Sequence, residues 1–284
     1  MENAFEKLAE IIKQTKNDFK FSIIEVGAAD YHGKKEPYYK ILNYFPSSEI
    51  ICFEIEKEVC DKANSKAPKG FKYYPYALSD KNGKKKLFNT QHPMCTSLYK
   101  PNEMFINLYN NLHFANLKNE SEIETITLDT FVEKYSLNEI DFIKMDVQGA
   151  ELDILKGAKS TLQNVLKIIC EVEFVPIYKN QPLFGDVNKF LNEYEFMFNQ
   201  FLQIHGRTLK PLIANNDPNI ASQHMWSDAI FIRQIEKIQN LSDEKILKLS
   251  LLAAIYNSLD LSFFCLSIYD KRNSSNLSKD WIGQ

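Results

Sequence analysis

Acidic residues that close short apolar runs give the first chemical reading of this chain. The run 21–26 ends in Glu25-Val26 and is followed by Gly27-Ala28-Ala29-Asp30, and small residues at the end of a strand let a ligand come close to the backbone. Glu54 lies near the end of the next run, Ile50 to Ile55, a position from which a carboxylate can accept both hydroxyls of a ribose. The glycine pattern that cradles a pyrophosphate is incomplete, because Ala and Asp stand where its later glycines would be. A nucleoside without phosphates fits this loop better than a dinucleotide, which counts against a nicotinamide-dependent oxidoreductase.

A second group of acids lies further along. Asp146 directly follows the run Phe142 to Met145, and Glu151 stands just past Gly149-Ala150. Glu171 and Glu173 share one face of the run 167–174 by period-two alternation, with Glu173 nearer its carboxyl end. These residues suit a transfer in which a hydroxyl must lose its proton, a step that a general base accelerates by roughly 10²–10⁴-fold. Asp146 has two readings, as that base or as the ligand of an ammonium group. Glu151 also has two, as a catalytic carboxylate or as an acid favoured by the start of a helix. Asp146, Glu151 and Glu173 can hold Mg²⁺ only if all three converge, and no bound metal is expected. His205 follows an apolar strand and precedes Gly206-Arg207, while His92 and His224 sit in loops; structural or surface roles compete for each. Asp129 is expected to cap a helix beginning at Thr130. Trp226 and Asp228 border either the acceptor pocket or the core.

Three segments are specific. Thr127-Leu-Asp129-Thr-Phe, Ile140-Asp-Phe-Ile-Lys144-Met-Asp146-Val-Gln-Gly149-Ala-Glu151-Leu-Asp-Ile-Leu-Lys-Gly157-Ala and Glu171-Val-Glu173-Phe together resemble the FkbM-type methyltransferases. The resemblance extends from about Ile23 to Arg233, through Ala77-Leu-Ser-Asp80, Thr96-Ser-Leu98, Gln181-Pro-Leu-Phe184 and Trp226-Ser-Asp228-Ala-Ile-Phe231. It implies a Rossmann-like class I α/β fold, with S-adenosylmethionine as methyl donor and a hydroxyl of a sugar, glycan or small metabolite as acceptor. It further implies that Glu25, Gly27 and Ala28 line the methionine end, that Glu54 holds the ribose and that Ala77, Leu78 and Ser79 edge the adenine. Asp30, Ile55 and Asp146 complete the expected cofactor set, and Asp146, Glu151, Glu173 and His205 the expected catalytic set. Tyr31-His32-Gly33 departs from the class, where many members carry a glycine at position 31. A scaffold that binds the cofactor without catalysis is the competing reading.

The elements that must position these residues follow from hydrophobic periodicity. Runs at Ile50–Ile55, Phe71–Ala77, Ile140–Met145, Lys167–Phe174, Phe196–Gln203 and Ala229–Arg233 are strand-like, and their alternation with helical stretches predicts a mostly parallel, seven-stranded sheet covered on both faces. The expected organisation is a helix over 1–20, a methyltransferase domain over 21–233 with a substrate-side insertion at 83–118, and a helical appendage over 234–284. Lys81, Lys84, Lys85 and Lys86 around Asn82-Gly83 suggest a solvated hairpin. A net charge of −3 supplies no global field for nucleic acid. Five cysteines without a C-x-x-C pair fit a reducing cytoplasm. Asn257 and Asp260 interrupt the apolar stretch Leu249–Tyr269, which reads as two helices and not as a membrane span. Ile246, Leu247, Leu249, Leu251, Leu252 and Ile255 exceed a single stripe and suggest a homodimer through the C-terminal helices. Residues 273–279 read as a frayed tail.

Overall fold

A computed structural model describes residues 4–16, 19–27, 35–137, 139–213 and 220–283. Among the described residues ten strands are formed: β1 Ser22–Val26, β2 Glu49–Glu54, β3 Phe71–Pro75, β4 Ala77–Leu78, β5 Gly83–Thr90, β6 Leu117–Ile126, β7 Phe142–Met145, β8 Lys167–Glu173, β9 Phe196–Gly206 and β10 His224–Arg233. Seven of them make the main sheet in the order β3-β2-β1-β7-β8-β10-β9. The first five run parallel, and β10 is antiparallel to both β8 and β9. The strand order reverses between β1 and β7, which opens a crevice at their carboxyl ends, the place where open α/β sheets bind ligands. This is the class I methyltransferase architecture that the resemblance implies.

Alternation along the strands divides the core into two layers. Ile23, Ile50, Phe142, Ile169 and Ile230 point to one side and pack against the helices Ala4–Thr15 and Asp243–Ile255. Ile24, Ile51, Ile143, Ile168 and Phe231 point to the other, against Leu128–Lys134, Glu151–Lys156 and Phe184–Glu193. Ser242 caps the helix Asp243–Ile255 by accepting from the Lys245 N–H at 3.3 Å, and Leu259–Asn273 follows as a second helix, as the sequence suggests. No helix among the described residues is long and apolar enough to cross a membrane.

Ile246, Leu247, Leu249, Leu251, Leu252 and Ile255 are all buried within the chain. Burying one such side chain contributes about 1.5–3 kcal/mol, so these helices form a stable layer of the core. The apolar surplus behind the expected dimer is therefore not on the surface. The expected frayed tail is also ordered over Leu277–Ile282, because Trp281 is buried and its indole N–H donates to the Ala4 carbonyl at 2.9 Å.

The lysine-rich stretch does not form the hairpin that Asn82-Gly83 suggests. β6 lies between β4 and β5 in a three-stranded sheet, and its acids meet the lysines across the ladder, Lys84 with Glu122 at 2.7 Å and Lys86 with Glu120 at 3.2 Å. Asp129 differs as well. Thr127 caps the helix by accepting from the Thr130 N–H, while the Asp129 carboxylate accepts from the Ser160 and Thr161 N–H groups and the Thr161 hydroxyl at 2.7–2.9 Å. It fastens two turns together.

Candidate active site

The crevice between β1, β2 and β7 opens into a cavity of about 480 Å³ roofed by the small sheet and the segment after it, within the size range of small-ligand sites. Gly27, Glu54, Ile55, Ala77, Leu78 and Asp146 line it, together with Met94, Ser97 and Asn119 from 83–126. Gly27 has φ +79°, and a Cβ there would overlap the Asp146 carbonyl oxygen. Only glycine lets β1 and β7 close at this point, where the Asp146 N–H donates to the Val26 carbonyl at 3.1 Å. One oxygen of Glu54 accepts from the Ile55 N–H at 2.8 Å, and burial pushes its carboxyl above the ordinary range. The donor set fits a nucleoside: an acid for ribose hydroxyls, an apolar edge of Ile55, Ala77 and Leu78 for a base, and Asp146 at the far end.

Other expected site residues stand apart from this cavity. Ser79 is fully buried; its N–H donates to the Ile126 carbonyl and its hydroxyl to Asp80. Glu25 is buried on the face of the sheet that the terminal helices cover, with one oxygen accepting from the Tyr39 hydroxyl at 2.9 Å. Its other oxygen and the Tyr38 hydroxyl have no hydrogen-bond partner among the described residues. Ala28 and Asp30 lie outside the described residues.

Glu151 does not join Asp146 at the cavity wall. Gln148 and Gly149 both take positive φ, +58° and +95°, and this turn folds the Glu151 side chain beneath the loop, where it accepts from the Val147 N–H at 2.9 Å. Burial raises its carboxyl to about 7 against the pull of those backbone donors. Glu173 is also buried, and burial pushes its carboxyl well up. His205 stacks on Trp226 with ring centres 5.5 Å apart, three strands from β7 across the sheet. Among the described residues no group of three or more His, Cys, Asp or Glu side chains is placed to hold a metal ion.

The structure adds two residues to the candidates. The Gln148 amide donates to Asp146 at 3.0 Å and to Glu171 at 2.9 Å, while its oxygen accepts from the Tyr178 hydroxyl at 3.1 Å. Its carbonyl accepts from Ser97 at 2.7 Å, tying the cavity roof to the same point. Beside it, Lys144 reaches Asp228 at 3.1 Å. Burial works against its charge, yet Asp146, Asp228, Glu36 and Glu171 outweigh it and hold the amine above the ordinary lysine range. For Glu171, burial and then the neighbouring Asp146, Glu173, Glu151 and Asp228 push the carboxyl well up. Lys144 was visible in the sequence as a lone cation within an apolar strand; nothing in the sequence marked Gln148 as a hub.

Comparison with known proteins bears on this geometry. The model of the methyltransferase FkbM domain matches residues 25–198. The 2-O-methyltransferase NoeI of Sinorhizobium fredii (strain NBRC 101917 / NGR234) is 24% identical over 168 residues, covering 56% of this chain and 66% of that protein, just short of two thirds of its length. Among solved structures, a methyltransferase FkbM from Methylobacillus flagellatus KT aligns over 81% of this chain and 58% of its own, with 11% identity and a TM-score of 0.40. An uncharacterized protein from Listeria monocytogenes serotype 4b aligns over 99% of both chains, with 11% identity and a TM-score of 0.36.

Proposed function

The chain belongs to the FkbM methyltransferase family, and from that premise we propose that it is an S-adenosylmethionine-dependent O-methyltransferase acting on a hydroxyl of a sugar, glycan or small metabolite. The observation that carries this reading is the cavity where Gly27, Glu54, Ile55, Ala77, Leu78 and Asp146 converge. The relative NoeI is a 2-O-methyltransferase, which supports oxygen as the acceptor.

In this reading Glu54 holds the ribose, Ile55, Ala77 and Leu78 edge the adenine, and Asp146 takes the methionine ammonium. When bound, the cofactor supplies a methyl group by in-line displacement at its sulfonium, the sulfur keeping the electron pair of the broken bond. The protein's part is to hold the acceptor oxygen aligned with that carbon, which makes a bimolecular step effectively unimolecular. Glu171, one amide away from Asp146 through Gln148, accepts the hydroxyl proton as the new C–O bond forms. Burial and the neighbouring acids raise its carboxyl, and an ionised carboxylate so raised takes up a proton more readily than an ordinary one. Lys144 and Asp228 fix the electrostatics around it, and the ties from Ser97 and Tyr178 to Gln148 hold the relay in place.

The test is calorimetric titration with S-adenosylhomocysteine, with NAD as control, followed by transfer of labelled methyl groups to a panel of hydroxylated acceptors. Micromolar binding of the former and label in an ether product support the proposal. Binding of NAD alone overturns it, and cofactor binding without transfer to any acceptor favours a scaffold.

A further inference from the structure

The wing of the sheet formed by β8, β10 and β9 ends at the same edge as β7, because β10 runs antiparallel to both its neighbours. Trp226 on β10 pairs with Glu173 on one side and with His205 on the other. Just past His205, the Arg207 guanidinium lies 4.7 Å from the centre of the Trp226 ring. One of its terminal nitrogens donates to the Gly206 carbonyl at 2.8 Å, while its Nε is buried with no hydrogen-bond partner among the described residues. No carboxylate pairs with Arg207 among those residues. Burial alone acts on its charge, and it lowers the pKa.

With no carboxylate among the described residues to pair it, a half-buried guanidinium is costly, and an unsatisfied donor within it calls for an explanation. The indole face offsets part of that cost. The planar fork of arginine is shaped to receive carboxylate or phosphate oxygens in pairs. Trp226 and Asp228 are two residues apart on β10, roughly 7 Å along the strand, and Asp228 pairs directly with Glu171. Arg207, just past β9, and Glu171, on β8, thus stand at the same edge of the sheet, on the two sides of β10.

We infer that Arg207, steadied by Trp226, is the subsite for an anionic group carried by the acceptor, which is thus an acidic, hydroxylated compound. This rests on the O-methyltransferase reading above. The source of the charge can be a phosphate or a carboxylate, and both meet the same fork.

Protein saturated with S-adenosylhomocysteine should be titrated with a neutral hexose, its 6-phosphate and its uronate, with indole fluorescence as the readout. The expected result is a saturable change with at least one acidic sugar, and an affinity for it roughly 10- to 100-fold above that for the neutral hexose. The acidic sugar that responds identifies the group. Arg207→Met should abolish the preference, and Arg207→Lys should restore only part of it, because lysine keeps the charge without the fork. Equal affinity for neutral and acidic sugars, no response to either acid, or an unchanged preference in Arg207→Met would each overturn the inference. Failure of the initial S-adenosylhomocysteine saturation would instead overturn the cofactor assignment, so the two failures are distinct.

Discussion

Glu54→Gln isolates the contact on which the cofactor assignment depends. One carboxylate oxygen already accepts from the Ile55 N–H at 2.8 Å, so the side-chain oxygen of glutamine can keep that bond and the local backbone should not move. In this assignment the other oxygen meets the ribose hydroxyls. Glutamine replaces it with an NH₂ group, which exchanges a charged acceptor for a neutral donor opposite the ribose hydroxyls. A hydrogen bond to a charged group contributes about 1.5–3 kcal/mol, so the S-adenosylhomocysteine dissociation constant should rise roughly 10- to 150-fold. Calorimetry reads this directly, with an unchanged Tm as the control for folding.

The same residue sets a pH dependence. Burial raises the Glu54 carboxyl above its ordinary value, so protonation on acidification begins at a higher pH than for a free glutamate. Cofactor affinity in the native protein should therefore fall as pH drops through that raised value, and the glutamine variant should be flat over the same window. An unchanged dissociation constant in Glu54→Gln, or identical pH profiles for the two proteins, would refute the ribose contact.

Three further outcomes are expected. Glu151 has its carboxyl raised to about 7, so the folded state binds a proton that the unfolded chain has lost above about 4.5; the stability this contributes is present at low pH and lost as pH rises towards 7, and Glu151→Gln should remove that slope in denaturant titrations across the window. Asp129→Ala deletes three hydrogen bonds to Ser160 and Thr161 and should lower stability by about 2–4 kcal/mol while leaving S-adenosylhomocysteine affinity unchanged; a matching loss of affinity would count against a purely structural role. Lys167 is buried beneath the Tyr256 ring, with its amine donating to the Leu252 carbonyl, and burial depresses its pKa well below the ordinary value; Lys167→Met should flatten the rise in stability with pH that the native lysine causes on the way to its unfolded pKa, read by denaturant titrations between neutral and alkaline pH.

The buried strands were legible because both faces of the sheet are covered, which leaves continuous apolar runs such as Ile50–Phe53 and Ile168–Cys170. β6 was not, because Leu117–Ile126 is exposed along most of its length and its Lys, Asn and Glu residues carry no apolar alternation to read. Asp146 and Glu54 were legible because each closes a buried strand at the carboxyl edge, a position fixed by the strand itself. Glu151 was misleading for a definable reason. Its separation from Asp146 measures chain length, but the two left-handed residues between them, Gln148 and Gly149, turn its side chain under the loop.

That same turn projects Gln148 between Asp146 and Glu171. The carboxylate that Gln148 links to Asp146 therefore comes from the neighbouring strand and not from the loop that carries the sequence signature. Period-two alternation had already placed Glu171 and Glu173 on one face, and the choice between them depended on what lies above that face. Glu173 is sealed by its own burial, whereas Glu171 meets the Gln148 amide and lies opposite Asp228. Proximity to a cofactor is a property of strand order, and strand order in an open sheet is set by crossovers that no local pattern records. The acid one step back from the strand end, held by a partner 23 residues earlier in the chain, is thus the one to which the proposed mechanism gives the proton.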